Sequence, residues 1–261
     1  GVADGAVDTG NNAWVGLALA HYSAEAHDAC YGNIARELLD ALKAESCDDQ
    51  LGGFASRLPP YPHYYRSAEH NTDVYALAFM LGASDVAERA RRFVVGMFGQ
   101  TTKAPQTYAT GTGDAHKCDA TTPQAATAAD VQFWSLLSGV DPDPARKLAS
   151  VRWALESPAP GAAGDDNLRG LWWNDTDRIG NPHAGDAGKG AVLHGVRFTN
   201  WGNGIQWENT ASAAMALRLY AADYAADKPS AGLVERMDAA RDSLCSLIQS
   251  YRCIPASVLG G

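Results

Sequence analysis

Four times along its 261 residues, this chain runs a short polar cluster straight into a helical apolar pattern. The clusters are Asp8-Thr9-Gly10-Asn11-Asn12-Ala13-Trp14, Ser67-Ala68-Glu69-His70-Asn71-Thr72-Asp73, Thr127-Ala128-Ala129-Asp130-Val131-Gln132 and Gln206-Trp207-Glu208-Asn209-Thr210-Ala211. A second helical stretch with a plainer surface follows each of them. Four helices of this kind, set side by side, open their polar starts at one end of the molecule. Chemistry is expected at that end.

The helices themselves are read from spacing. Trp14, Leu17, Ala18 with His21 and Tyr22, then Ile34, Leu38, Leu39 and Leu42, recur at intervals of three and four, which puts them on one helical face. Val74, Leu77, Ala78 and Leu81 repeat the pattern, as do Val131, Trp134, Leu137 and Leu148, and finally Met215 to Tyr220 with Leu233 to Ile248. Thr9, Ser67 and Thr127 are expected to cap helix starts, with Pro123 an alternative start for the third. Leu81-Gly82-Ala83-Ser84-Asp85 and Ser138-Gly139-Val140-Asp141-Pro142 are expected to end one helix and cap the next. Four helical hairpins follow, over 10–46, 68–98, 123–157 and 207–251. Only Phe93-Val94-Val95 and Val192 to Phe198 read as strands. The fold class is mainly α. The loops at 47–67, 99–122 and 158–206 are too long and too aromatic for solvated linkers, and are expected to fold over one face.

A formal charge of -9 leaves no basic stripe to replace phosphate counterions, so no nucleic acid is expected as a partner. The longest apolar run, Trp14 to Ala20, is too short to span a membrane. Cys30, Cys47, Cys118, Cys245 and Cys253 fit no zinc spacing. Pairs at 30–47 and 245–253 would suit a secreted or periplasmic protein, buried free thiols a cytoplasmic one. Asn174-Asp175-Thr176 is a glycosylation sequon that also leans towards secretion. Asn174 to Asp177 lacks the glycine and glutamate of a calcium loop. Neither a nucleophile motif nor a phosphate-cradling glycine loop occurs, and no cofactor or metal is expected.

Taken in order, Gly10-Asn11-Asn12-Ala13-Trp14-Val15, Gly52-Gly53-Phe54, Glu69-His70-Asn71-Thr72-Asp73-Val74-Tyr75-Ala76, Asp130-Val131-Gln132, Trp207-Glu208-Asn209-Thr210-Ala211 and Ile254-Pro255-Ala256-Ser257 resemble a pattern of bacterial α/α-toroid proteins of the six-hairpin glycosidase type. The resemblance implies a ring of inner and outer helices with a cleft at one end, acting on carbohydrate. It is expected to cover one domain, residues 1–261. With four hairpins instead of six, that domain is expected to be a compact variant, a fragment truncated at one or both ends, or a ring completed by further elements.

Cleaving a glycosidic bond takes two carboxyl groups, one of them protonated. Asp8, Glu69, Asp73, Asp130 and Glu208 are the candidates at the shared end. Glu208 beside Trp207 is the expected acid, because an aromatic wall desolvates a carboxyl. Asp130 is the expected base, with Glu69 its rival. His70, Asn71, Asp73, Asn12, Tyr65, Arg197, Trp201 and Trp207 are expected to bind an oligo- or polysaccharide, the indoles by stacking on pyranose faces. Trp172-Trp173 is a further platform. Acidic residues also favour a helix's first turn for the sake of its free N–H groups, so a non-catalytic glycan-binding or scaffold domain is the alternative. Elimination on a uronate polymer is another, with His70, Tyr64 or Tyr65 as base and Arg66 or Arg197 facing the substrate carboxylate.

Overall fold

The computed structural model describes residues 7–59, 63–123, 127–155, 170–175, 192–200, 202, 204–223 and 231–254. Eight helices are present among them: α1 Thr9–Ala26, α2 Ala29–Lys43, α3 Ala68–Met80, α4 Ser84–Gly96, α5 Ala129–Leu137, α6 Pro144–Ala154, α7 Trp207–Asp223 and α8 Ala231–Tyr251. Two short antiparallel pairs accompany them, β1 Val7–Asp8 with β2 Arg57–Leu58, and β3 Trp172–Asn174 with β4 His194–Val196. The chain divides into two compact units, residues 1–125 with 140–142, and residues 126–139 with 143–261.

In the first unit, α1 packs against α2 and α3, and α3 against α4. Small residues set the closeness of α1 to α3. A Cβ on Gly10 would stand 2.5 Å from His70 Cδ2, and one on Gly16 2.6 Å from Leu77 Cδ2. Ala13, Leu39, Leu42, Phe54, Val74, Leu77, Ala78, Val86 and Ala90 form the core beneath. In the second unit, α5 packs on α6 and α7, and α7 on α8. Trp173, Leu193, Ile205, Trp207 and Leu247 make its core.

Segments flanking the short strands position the helix starts. In the first unit, Thr9 N–H donates to Ser56 O at 2.9 Å and the Thr9 hydroxyl to Ala55 O at 2.6 Å. The same segment takes Ser67 N–H on the Ser56 hydroxyl at 3.0 Å. One stretch of chain therefore holds the starts of both α1 and α3. The second unit repeats the device: Ala129 N–H donates to Phe198 O at 2.7 Å, and Gln206 N–H to Val196 O at 2.9 Å. The long loops act as ties across the helix starts, which satisfies backbone groups that a helix end leaves open.

Several expectations are corrected. Phe93-Val94-Val95 lies inside α4, where Phe93 and Val94 are buried with Ala90 and Met97 at helical spacing. The third hairpin begins at Ala129, after Ala128, and not at Pro123 or Thr127. The residue before α1 is Asp8, and Thr9 uses its hydroxyl on Ala55 O instead. Asp143, not Asp141, caps α6, accepting from Ala145 N–H with Pro144 following it. Ser67 does cap α3, accepting from His70 N–H at 3.2 Å. Of the second strand candidate, His194–Val196 is a strand.

The cysteine pairing is neither of those expected. Cys47 bonds to Cys118, with Cα atoms 5.6 Å apart, while Cys30, Cys245 and Cys253 are exposed thiols. Pairs within one hairpin were suggested by proximity in sequence; the bond joins two loops brought together by tertiary structure. Arg66 staples the same two loops. Fully buried, it donates to Asp49 Oδ1 (2.8 Å), Gly52 O (2.6 Å) and Asp119 O (2.8 Å), and its guanidinium lies over the Phe93 ring.

Candidate functional site

Helices α1, α3, α5 and α7 each begin with the same local hydrogen bond. Four residues beyond the position that precedes each helix, a side chain donates back to that position's carbonyl. Asn12 reaches Asp8 O at 2.8 Å, Asn71 reaches Ser67 O at 2.8 Å, Gln132 reaches Ala128 O at 3.0 Å and Thr210 reaches Gln206 O at 2.8 Å. Aligned on these bonds, the second helical residues are Gly10, Glu69, Asp130 and Glu208. Three of the four carry a carboxyl group, and they are the three expected to react. The register was visible in sequence only in part, since the third cluster is displaced by one residue from its apparent start at Thr127.

In the second unit, Asp130 and Glu208 stand at the starts of adjacent helices held by one segment, Val196 at the end of β4 and Phe198 just beyond it. Trp134 and Ser212 lie four residues further along each helix, hence on the same faces, and Trp134 Nε1 donates to Ser212 Oγ at 3.0 Å. The two carboxylates thus sit one turn above a direct contact between α5 and α7. Asp130 is 4% exposed, and its Oδ1 accepts from Val131 N–H at 2.6 Å. Glu208 is exposed. Gln206, which sequence reasoning missed as a functional residue, holds Glu208 Oε2 with its amide at 3.2 Å while its Oε1 accepts from Asn209 N–H at 2.6 Å. It joins the helix start to the carboxylate.

In the first unit, Glu69 and His70 are half-buried and Asp73 is buried. Burial holds the His70 imidazole below its ordinary value, against an upward pull from Asp8. Beside it, Arg57 Nε meets Asp8 Oδ1 at 2.5 Å, each side chain about a quarter exposed. Tyr65 is half-buried; its N–H, with that of Tyr64, donates to Asp114 Oδ1. Asp114 Oδ2 meets His63 Nδ1 at 2.9 Å, and this contact holds the Asp114 carboxyl below its usual range.

Other expected ligand contacts are interior. Asn71 is fully buried, accepting from Phe54 N–H at 2.8 Å and donating to Phe54 O at 3.1 Å. Trp207 is 1% exposed and packed in the core, so it neither offers a sugar platform nor walls off Glu208. Trp172 and Trp173 are buried too, the former between His194 and Arg236. Arg197 is fully buried over the Trp173 ring, donating to Gly170 O at 2.8 Å, and burial has pushed it down to about 10. Trp201 lies outside the described residues. Trp14, read in sequence as an apolar helix residue, is 51% exposed.

Asn174 Oδ1 meets His194 Nδ1 at 2.6 Å and Asp175 Oδ1 accepts from Leu193 N–H at 3.1 Å; the other two residues of that acidic stretch lie outside the described residues. Among the described residues, no three His, Cys, Asp or Glu side chains are placed to hold a metal, and no helix is long and apolar enough to cross a membrane.

No protein-family model matches the chain, and no curated protein matches it. Solved structures do. A family 76 glycoside hydrolase from a bovine Bacteroides thetaiotaomicron strain superposes with a TM-score of 0.55 and 11% identity over 91% of this chain and 46% of its own. A family 76 α-mannanase of Bacteroides thetaiotaomicron gives 0.54 and 11% over 90% and 56%. A D-mannose isomerase gives 0.57 and 11% over 91% and 58%. This chain spans about half the length of these proteins. The likeness shows the fold: mainly α, of the α/α-toroid class.

Proposed function

We propose that the chain is a carbohydrate-active enzyme, and specifically a glycoside hydrolase acting through Glu208 as acid and Asp130 as base. The observation that carries this reading is the shared placement of both carboxylates, one turn above the Trp134–Ser212 hydrogen bond, on helix starts tied to one short segment, 196–198. Packed helices lie about 8–10 Å apart, and side chains reaching out from such a pair span the roughly 5–9.5 Å that separates carboxyl groups in glycosidases. Glu208 would protonate the leaving oxygen. Asp130 would activate water or attack the anomeric carbon. Two of the three structural neighbours named above are glycoside hydrolases, and all three are named for sugar chemistry. That supports the substrate class. Elimination on uronates is less favoured, because Arg66 and Arg197 are both fully buried and bonded to protein groups. A secreted or periplasmic location is supported by the Cys47–Cys118 bond, since disulfides persist in oxidising compartments.

The test is hydrolysis of a polysaccharide panel and of aryl glycosides by Glu208→Gln and Asp130→Asn. Both variants should lose at least about 100-fold on natural linkages. On an aryl glycoside with a good leaving group, which needs no acid, Glu208→Gln should recover and Asp130→Asn should not. Wild-type rates in either variant would overturn the assignment.

A further inference from the structure

The first unit carries a second group of polar and aromatic side chains, which the proposed reaction does not use. It is built where α1 meets α3. His70 lies over Gly10, 2.5 Å from where a Cβ would sit, and Asp73 Oδ2 is 3.1 Å from the same point. Trp14 follows Gly10 by four residues and so stands on that face one turn along. Trp14 and Asp73 are the sixth residues of α1 and α3. Those are the positions through which Trp134 and Ser212 join α5 to α7. Half of the Trp14 surface nevertheless remains open to solvent. The partly exposed Asp8–Arg57 pair acts on the His70 imidazole from the strand side.

We propose that this group is a binding subsite for a neutral pyranose of a saccharide chain, stacked on Trp14 and hydrogen-bonded through its hydroxyls to the Asp8–Arg57 pair. The proposal rests on the reading of the chain as carbohydrate-active, but not on which residues catalyse. An ion pair fixed at 2.5 Å presents an acceptor and a donor side by side, as neighbouring sugar hydroxyls require. An indole face supplies the apolar platform. Charge decides the class of sugar. The one guanidinium shown here, Arg57, is already paired with Asp8, Asp73 lies beside His70 over Gly10, and burial disfavours the charged form of His70. A uronate brought here adds a further negative charge to a site with no uncommitted cation among the described residues named, and like charges repel. The subsite therefore takes neutral hexosyl units and rejects acidic ones.

The experiment is calorimetric titration of the full chain, carrying Glu208→Gln to prevent turnover, with neutral and uronic oligosaccharides of matched length. Trp14→Ala should weaken the neutral ligand at least 10-fold, Trp14→Phe should retain part of the affinity, and Tyr22→Ala, on the same helix but outside the group and 55% exposed, should change nothing. Uronic oligosaccharides should bind at least 10-fold more weakly than neutral ones. Equal binding by Trp14→Ala, tighter binding of the uronic series, or no binding of any neutral saccharide would overturn the subsite. Release of reducing ends by the Glu208-intact protein is scored separately. It survives loss of the subsite if only the proposal here fails, and is absent if the hydrolase reading fails.

Discussion

Replacing Asn71 with alanine separates a structural role from a ligand-binding one. Its side chain makes three hydrogen bonds, two to the backbone of Phe54 and one to Ser67 O, in a place with no solvent exposure. Each such bond is worth about 1 kcal/mol net, and a buried group left unpaired costs about 1–3 kcal/mol. Phe54 N–H and C=O both lose this partner. Water entering the vacated space recovers some of the cost, so a loss of about 3–4 kcal/mol is expected. Because the chain has two compact units, one unfolding transition need not describe it. Hydrogen exchange of amides in 45–56 and 67–72 is the better readout. Protection there should fall by about 10²–10³ in Asn71→Ala, and by at least as much in Asn71→Asp, which sets a buried carboxylate oxygen against the carbonyls of Phe54 and Ser67. Protection unchanged within about tenfold, together with lost saccharide binding, would refute the structural argument and return Asn71 to the site.

Three further outcomes are expected. Replacing Cys47 and Cys118 by alanine opens a loop with a sequence separation of 71, worth about 4 kcal/mol in the chain-entropy limit; denaturant melting of the first unit should show a loss of that order, and an unchanged midpoint would mean that the Arg66 staple suffices alone. Lowered by burial, the His70 pKa makes the unfolded chain take up the proton first. The stability this confers is intact above about pH 6.5 and lost as pH falls below it. His70→Gln should flatten that part of the profile of Tm against pH, and a wild-type Tm that rises on acidification from pH 7 to 5.5 would contradict it. Gly111→Ala places a Cβ 2.1 Å from Arg66 O, a backbone atom that cannot swing aside; a loss of about 2 kcal/mol or more is expected from calorimetry, and wild-type stability would show that the 66–67 segment yields.

Much of the fold was legible because helices declare themselves locally. Apolar spacing placed four hairpins, and all four are present among the described residues with ends shifted by a few positions. Ser67 signalled its cap because that bond reaches only three residues along the chain. The start of α5 was misplaced because Ala128 carries no capping oxygen and a distant carbonyl, Phe198 O, does the work. For the same reason Phe93 to Val95 passed for a strand: a short β-branched run is ambiguous until its burial is known.

The shared helix-start position of Glu69, Asp130 and Glu208 was legible in sequence, because a repeated polar cluster before a repeated helix is itself a pattern in sequence. Which faces they and their neighbours present was not. Trp14 and Trp207 look alike in a list of residues, yet Trp207 is enclosed by Leu193, Ile205 and Leu247 while Trp14 stands open. Arg66 and Arg197 look like ligands for an acid until carbonyls from distant loops are found around them. The Asp8–Arg57 pair spans 49 residues and the Cys47–Cys118 bond 71. Helical period and residue type act over a few residues and were settled by the sequence by itself; burial, pairing and access depend on segments far apart in the chain, and only the tertiary structure could decide them.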